Sequence, residues 1–239
     1  MESSLKGKSI LVIGGSSGMG LAIAIKAAAA GAQVHIVGRS AEKLATAVAV
    51  IGGDVLSHSA DIGNEADVKV LAHCIAQVDH IVLTAADLVF KPFVQTTDEE
   101  IRSVFAAKFW GPIYVTRHFA ALLAKGGSIT FFGGSAAYKA SAGGSIVAAV
   151  NASLDGLART LAVELAPIRV NVVSPGIVET PAWGFLPDAS RKDVLNSIGA
   201  GFPVGRVGKV EELADAALFV MGNGFTTGTV LQIDGGANA

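Results

Sequence analysis

Ser9-Ile10-Leu11-Val12-Ile13-Gly14-Gly15-Ser16-Ser17-Gly18-Met19-Gly20 runs straight into Leu21-Ala22-Ile23-Ala24-Ile25-Lys26-Ala27-Ala28-Ala29-Ala30. An apolar, β-branched run, a glycine-rich turn and an alanine-rich segment stand here in the order strand, turn, helix. Glycine allows a tight turn and close backbone approach. The start of the helix then offers free N–H groups and the positive end of its dipole to a phosphate. The Gly15 to Gly20 spacing also imitates a nucleoside-triphosphate loop, but Leu21 and Ala22 stand where Lys and Ser/Thr are needed, and that reading fails.

The same alternation continues outward. Short β-branched runs predict seven strands near 9–13, 33–37, 55–59, 80–83, 128–132, 169–173 and 230–233, and helical segments begin near Gly18, Ala41, Glu65, Asp98, Gly144 and Val210. Successive βαβ units with right-handed crossovers make an α/β fold, a doubly wound seven-stranded parallel sheet of Rossmann type. Ser40, Asn64 and Thr97 stand as N-caps before three of the helices, with Lys43 rather than Glu three residues after Ser40. Nothing marks a linker or a repeat, so residues 1–239 are read as a single domain. The stretch 174–202 carries Pro175, Pro181 and Pro187, with Pro203 just beyond; it is the least regular part and is expected to form a substrate loop.

Composition limits what the chain does. Of its 239 residues 16% are charged and 51% fall in the apolar set, which excludes a disordered or collagen-like chain. With 18 basic and 20 acidic residues interspersed, neither a nucleic-acid surface nor a polybasic membrane patch is indicated. Cys74 has no partner for an internal disulfide, which fits a reducing cytoplasm. The first apolar run is too short for a signal-peptide core, and no segment reads as a membrane span. The surplus apolarity is assigned to a sheet buried on both faces and to an oligomer interface.

The spacing Gly14-x-x-x-Gly18-x-Gly20 resembles the T-G-x-x-x-G-x-G motif of the short-chain dehydrogenase/reductase family, with Ile13 in place of Thr. The resemblance extends over essentially the whole chain. Ala60-Asp61-Ile62 matches the family's adenine-contacting Asp. Arg169-Val170-Asn171-Val172-Val173-Ser174-Pro175-Gly176-Ile177-Val178-Glu179-Thr180 matches its R-V-N-x-V-x-P-G-x-x-x-T stretch, and Ile233-Asp234-Gly235-Gly236 its closing D-G-G turn. The resemblance implies a nicotinamide dinucleotide held by Gly14, Ser16, Ser17, Gly18, Met19, Asp61, Ile62, Ala85, Asn151, Pro175, Gly176, Val178 and Thr180. It also implies a homo-oligomer, a tetramer, acting on a small-molecule substrate.

Val37-Gly38-Arg39-Ser40 follows the second strand, where an NAD-specific member carries Asp or Glu for the ribose 2′-hydroxyl. Gly38 removes the carboxylate; Arg39 offers a guanidinium to a 2′-phosphate, with Ser40 and Ser16 as nearby donors. The expected cofactor is NADP(H).

The family's catalytic pattern is broken. Its Tyr and Lys fall on Val147 and Asn151, its Ser on Gly134 with Ser135 one residue beyond, and its Asn on Lys108; the N-N-A-G element becomes Leu83-Thr84-Ala85-Ala86. Two readings compete. In one, a rearranged oxidoreductase uses Lys108 as the missing cation, Asn151 on the ribose, and Ser135 with Tyr138 toward the substrate. In the other, the protein binds NADP(H) without turnover, as a sensor or partner subunit. The five histidines show no metal-ligand spacing, and Asp87, after the altered turn, reads as a solvated turn carboxylate ahead of the alternative, a ligand contact. Trp183, Phe185 and Leu186 suggest an apolar or aromatic substrate wall or, equally, a subunit contact.

Overall fold

Alternate residues of one short strand belong to opposite cores. The strand is β1 (Ser9–Ile13), in which Ile10 and Val12 pack with Ile23, Val34 and Val220, while Leu11 and Ile13 pack with Val68, Phe119 and Phe131. A strand buried on both faces loses the polar alternation of a half-exposed one and reads as a continuous apolar run. The computed structural model describes residues 5–239; the first four residues of the expected domain lie outside them.

The chain continues through α1 (Gly18–Ala29), β2 (Gln33–Gly38), α2 (Ala41–Ile51), β3 (Val55–Ser59), α3 (Glu65–Cys74) and β4 (Val78–Leu83). Then come α4 (Asp98–Phe105), a π turn (Ala106–Trp110), α5 (Gly111–Phe119), β5 (Leu123–Phe132), α6 (Ser145–Glu164) and β6 (Arg169–Pro175). The last part holds β7 (Val178–Glu179), α7 (Asp188–Gly199), β8 (Gly208–Lys209), α8 (Val210–Gly222) and β9 (Val230–Ile233). Seven strands form one parallel sheet in the order β3-β2-β1-β4-β5-β6-β9, and β7 pairs with β8 beside it. The strand order reverses between β1 and β4. In an open α/β sheet, the crevice beyond the carboxyl ends of the strands at that reversal is where ligands bind.

The seven expected strands and the expected helix starts are present. Ser40 accepts from Lys43 N–H, Asn64 from Ala66 N–H, and Thr97 forms a reciprocal capping box with Glu100.

Three features differ from the sequence reading. The helix beginning at Asp98 is not continuous: Pro112 has no N–H for the carbonyl of Lys108 four residues before it, and the helix accommodates this with the π turn. The stretch 174–202 is more regular than its prolines suggest. Pro181 opens a 3₁₀ turn (Pro181–Phe185) and Pro187 stands at the N-cap of α7, positions where the missing N–H costs nothing. Finally, α6 is long and apolar enough to cross a membrane by length and composition, although no such segment was expected. It lies as a layer helix against β6, with Val147, Val150, Leu154 and Ala158 buried at helical spacing.

His80 on β4 is buried, and its Nδ1 lies 2.8 Å from Ser128 Oγ on β5. Burial, aided by the charge of Arg169, lowers its pKa from 6.5 to about 4. Between those values the unfolded chain binds the proton and the folded chain does not. This contribution to stability is therefore complete above about pH 6.5 and is lost as the pH falls toward 4. Urea unfolding at pH 7.5 and 4.5 should show the wild type losing roughly 2–3 kcal/mol more than His80→Gln; equal losses would refute this origin.

Candidate active site

The glycine turn is shaped by how closely its backbone passes the end of β4. A Cβ on Gly14 would sit 2.7 Å from Ala85 N and from Thr84 Oγ1, and one on Gly20 would sit 2.2 Å from the Gly14 carbonyl oxygen. Real Cβ atoms do not approach so closely, and Gly14 also holds φ at +85°. Thr84 closes the junction by donating from Oγ1 to the Ile13 carbonyl at 2.9 Å.

Beyond the turn, Ser17 is the N-cap of α1 but makes no side-chain cap bond, and the first turn holds no acidic residue. The first N–H groups of α1 are left for an anion, whereas Ser40, Asn64 and Thr97 satisfy those of their own helices.

These elements border a cleft of about 490 Å³. Gly14, Ser16, Ser17, Gly18 and Met19 form its floor, and Gly38, Arg39, Ser40, Asp61, Ile62 and Ala85 line its sides. Thr180 and Pro181 close it opposite Gly18, whose absent Cβ would lie 3.8 Å from Thr180 Cβ. A side chain at Gly38 would press within 3.3 Å of Ser16 Oγ, so the missing carboxylate and the crowding by Ser16 belong together. Asp61 Oδ1 accepts from Gly63 N–H at 2.9 Å, which fixes the carboxylate at the rim.

Pro175, Gly176 and Val178 stand behind this wall rather than in it. A Cβ on Gly176 would come within 2.7 Å of Asp234 Cα, so the P-G and D-G-G turns touch backbone to backbone. The Val178 carbonyl accepts from Trp183 Nε1 at 3.0 Å, and Arg191 donates to the Trp183 and Leu186 carbonyls. The 3₁₀ turn that carries Pro181 into the cleft is thereby pinned to α7.

The positions expected to depart from the family's catalytic pattern come together beside the cleft. Lys108, in the π turn, is buried, and its Nζ donates to the Gly133 carbonyl at 2.9 Å. Asn151, on α6, lies against the next residue: a Cβ on Gly134 would be 2.6 Å from Asn151 Nδ2. The Asn151 amide therefore occupies the space where a serine side chain at 134 would begin. Among the described residues its buried Oδ1 has no hydrogen-bond partner, and Val147, one turn earlier, is buried. Lys108, Gly134 and Asn151, three of those four positions, thus form one packed group.

Ser135 and Tyr138 do not join it. Ser135 opens a 3₁₀ turn (Ser135–Ala137), and the Tyr138 hydroxyl donates to Asp155 Oδ2 on α6. Burial and that bond to Asp155 raise the phenol pKa, so this hydroxyl is poorly placed to give up a proton.

Two charged side chains at the cleft were undervalued in the sequence. Lys43 lines it from the first turn of α2, and its signal was a lysine where a capping box carries Glu. Asp87 lines it as well, and its partly exposed carboxylate pairs with Arg39 by two hydrogen bonds.

A glycine turn at an uncapped helix start, set at the reversal of a parallel sheet, defines a dinucleotide-binding α/β protein. The family model described as Enoyl-(Acyl carrier protein) reductase matches residues 14–238. The chain is 33% identical to the short-chain dehydrogenase/reductase malC of Malbranchea aurantiaca, covering 97% of this chain and 95% of that protein. It is 32% identical to the 3-oxoacyl-[acyl-carrier-protein] reductase of Homo sapiens, over 94% of this chain and 95% of that one. Among solved structures, the MalC reductase/Diels-Alderase superposes with a TM-score of 0.92 at 32% identity, covering 98% of each chain. A small-chain dehydrogenase in complex with NADPH gives a TM-score of 0.83 at 31% identity, covering 98% of this chain and 99% of that one. The chain belongs to the short-chain dehydrogenase/reductase family of oxidoreductases.

Lys108 carries a cost that can be measured. Burial lowers its pKa from 10.5 to about 8, and among the described residues no carboxylate pairs with it. Near pH 7 the folded chain holds a desolvated ammonium, and stability rises as the pH climbs from about 8 toward 10.5 and the folded chain releases the proton. Lys108→Met should therefore stabilise the protein at pH 7 by about 1–3 kcal/mol in urea unfolding, with the gain shrinking by pH 10. A variant less stable than the wild type at both pH values would contradict this.

Proposed function

We propose that this protein is an NADP(H)-dependent oxidoreductase that transfers hydride between the nicotinamide and a small apolar or aromatic carbonyl or alcohol, with its polar catalytic group moved to Lys108. The observation that carries the reading is the packed group of Lys108, Gly133, Gly134 and Asn151 beside an otherwise regular dinucleotide cleft.

The residues present fit the cofactor. Gly14 and Gly20 leave room where a Cβ would collide, α1 offers unclaimed N–H groups to a pyrophosphate, and Arg39 and Lys43 supply cations for a 2′-phosphate. The NADPH complex of a structural relative supports the same choice. Pro175, Gly176, Val178 and Thr180 are assigned to the nicotinamide side and Asp61 with Ile62 to the adenine side. Met19 and Ala85 complete the lining.

When bound, the cofactor supplies or accepts the hydride; the side chains must manage the proton. Asn151 would hold the nicotinamide ribose through its unpartnered amide oxygen. Lys108, with its pKa lowered to about 8 by burial, has the acidity to pass a proton near neutral pH. Its two N–H bonds not used by Gly133 are the ones available for that work. Ser135 remains a candidate for orienting substrate. Tyr138 is the weaker candidate, because Asp155 engages its hydroxyl. Relatives named for carbonyl, 3-oxoacyl and L-xylulose reduction support carbonyl chemistry without choosing the substrate.

The outer faces of the helices support an oligomer. Trp110 is exposed, stacks on Tyr114 and meets Phe109 edge to face, while Ala149, Ala152 and Val163 of α6 are exposed. A symmetric assembly, a homotetramer, would cover them. The cytoplasm is the proposed location.

Titration of intrinsic fluorescence should show NADPH binding at least about tenfold tighter than NADH, with Arg39→Ala abolishing the difference. In a carbonyl panel with NADPH, Lys108→Met should lower turnover by about 10²-fold or more while cofactor affinity survives. Equal affinities for the two cofactors would overturn the NADP assignment, and full turnover in Lys108→Met would remove Lys108 as the donor. Tight NADPH binding with no turnover, regained only in Val147→Tyr/Asn151→Lys, would mark the protein as a binder.

A further inference from the structure

β2, β1 and β4 are neighbours in that order, so residues just beyond β2 and β4 flank the end of β1, where the glycine turn begins. Arg39 and Asp87 are two such residues, and both line the cleft. Their side chains meet across it. Arg39 Nη1 donates to Asp87 Oδ2 and Nη2 to Oδ1, each at 3.0 Å, in a two-pronged pair. Ser103 Oγ of α4 also reaches Asp87 Oδ2, at 3.4 Å.

We propose that Asp87 is a specificity-determining residue that latches Arg39 across the cleft and competes with the cofactor 2′-phosphate for its guanidinium. This rests on the NADP(H) reading above.

The competition follows from the chemistry of the two acceptors. A carboxylate and a phosphate both take the parallel N–H pair of a guanidinium. Both Arg39 terminal nitrogens already bond Asp87, so a 2′-phosphate must draw the side chain away or share it at poorer geometry. A displaced Asp87 then stands as a bare carboxylate beside a phosphate dianion, and like charges at that range oppose binding. The Ser103 hydroxyl gives the freed carboxylate one remaining partner. A nucleotide without the 2′-phosphate makes no claim on Arg39 and leaves the latch closed.

Asp87 therefore sets how far the phosphorylated cofactor is favoured, and it does so by subtraction. The effect is bounded. The Arg39 side chain is 64% exposed and that of Asp87 31%, and pairs this open to water shift an equilibrium by about fivefold at most, with the two-pronged geometry placing this one near the top of that range.

The test isolates the adenosine end, using 2′,5′-ADP and 5′-AMP as probes beside NADPH and NADH in equilibrium titrations that need no turnover. Asp87→Asn should bind 2′,5′-ADP and NADPH about three- to fivefold tighter than the wild type, with 5′-AMP and NADH changed less than about twofold. In the Arg39→Ala background only the like-charge repulsion is left to remove, so adding Asp87→Asn should tighten 2′,5′-ADP by less than about twofold; an equal gain with and without Arg39 would show a general change in charge and overturn the latch. Asp87→Glu, measured in parallel, should stay near the wild type. A wild type that prefers 2′,5′-ADP, together with an Asp87→Asn variant that binds it no better or more weakly, overturns the latch alone. A wild type that binds 2′,5′-ADP no better than 5′-AMP overturns the NADP(H) reading, and the latch with it.

Discussion

The structure depends on one close approach, that of the glycine turn to the end of β4. Gly14 passes within 2.7 Å, measured to a Cβ it does not have, of Ala85 N and Thr84 Oγ1, and Gly20 packs onto the Gly14 carbonyl. That contact fixes where α1 begins relative to β1 and β4, and so aims its unclaimed N–H groups into the crevice at the sheet's reversal point. Cleft walls gather around it: Arg39 and Ser40 from the end of β2, Asp61 and Ile62 from beyond β3, Ala85 and Asp87 from beyond β4. An added methyl group anywhere on this junction would push one wall out of register with the others.

The far end of the cleft follows a different logic. Lys108, Gly134 and Asn151 look like independent losses in sequence, yet in space they answer one another. Asn151 fills the place a serine at 134 would need, Lys108 bonds the neighbouring Gly133 carbonyl, and the π turn lets Lys108 turn inward. A buried lysine without a carboxylate partner destabilises a fold. Its presence here, with its pKa lowered to about 8, is the strongest reason to look for work done by that ammonium.

Much of the fold was legible because local signals agreed with one another. The β1 run, the glycine spacing and the caps at Ser40, Asn64 and Thr97 each made a local demand that the seven-stranded sheet satisfies. The π turn was not legible, since Pro112 after a glycine resembles an ordinary helix start. Helix α7 was masked by prolines that punctuate elements rather than break them. Motif spacing anticipates many of the residues that line the cleft, among them Gly14, Ser16, Gly18, Arg39, Asp61 and Thr180, but Pro175, Gly176, Val178 and Asn151 do not line it. The relations that depend on side-chain direction were not legible: motif spacing does not reveal that Arg39 reaches Asp87, that Tyr138 turns to Asp155, or that Asn151 packs on Gly134.

On the function proposed above, an intact dinucleotide cleft serves a site whose working cation has moved from α6 to the π turn. A crystal structure with NADPH bound tests it most directly. The prediction is a pyrophosphate on the first N–H groups of α1, a 2′-phosphate on Arg39 with Asp87 released, and Lys108 Nζ within about 3–4 Å of the nicotinamide C4 region or of a carbonyl ligand placed there. A dinucleotide bound with Arg39 still paired to Asp87, and with Lys108 sealed away from the nicotinamide by the Gly133–Gly134 backbone, would contradict it.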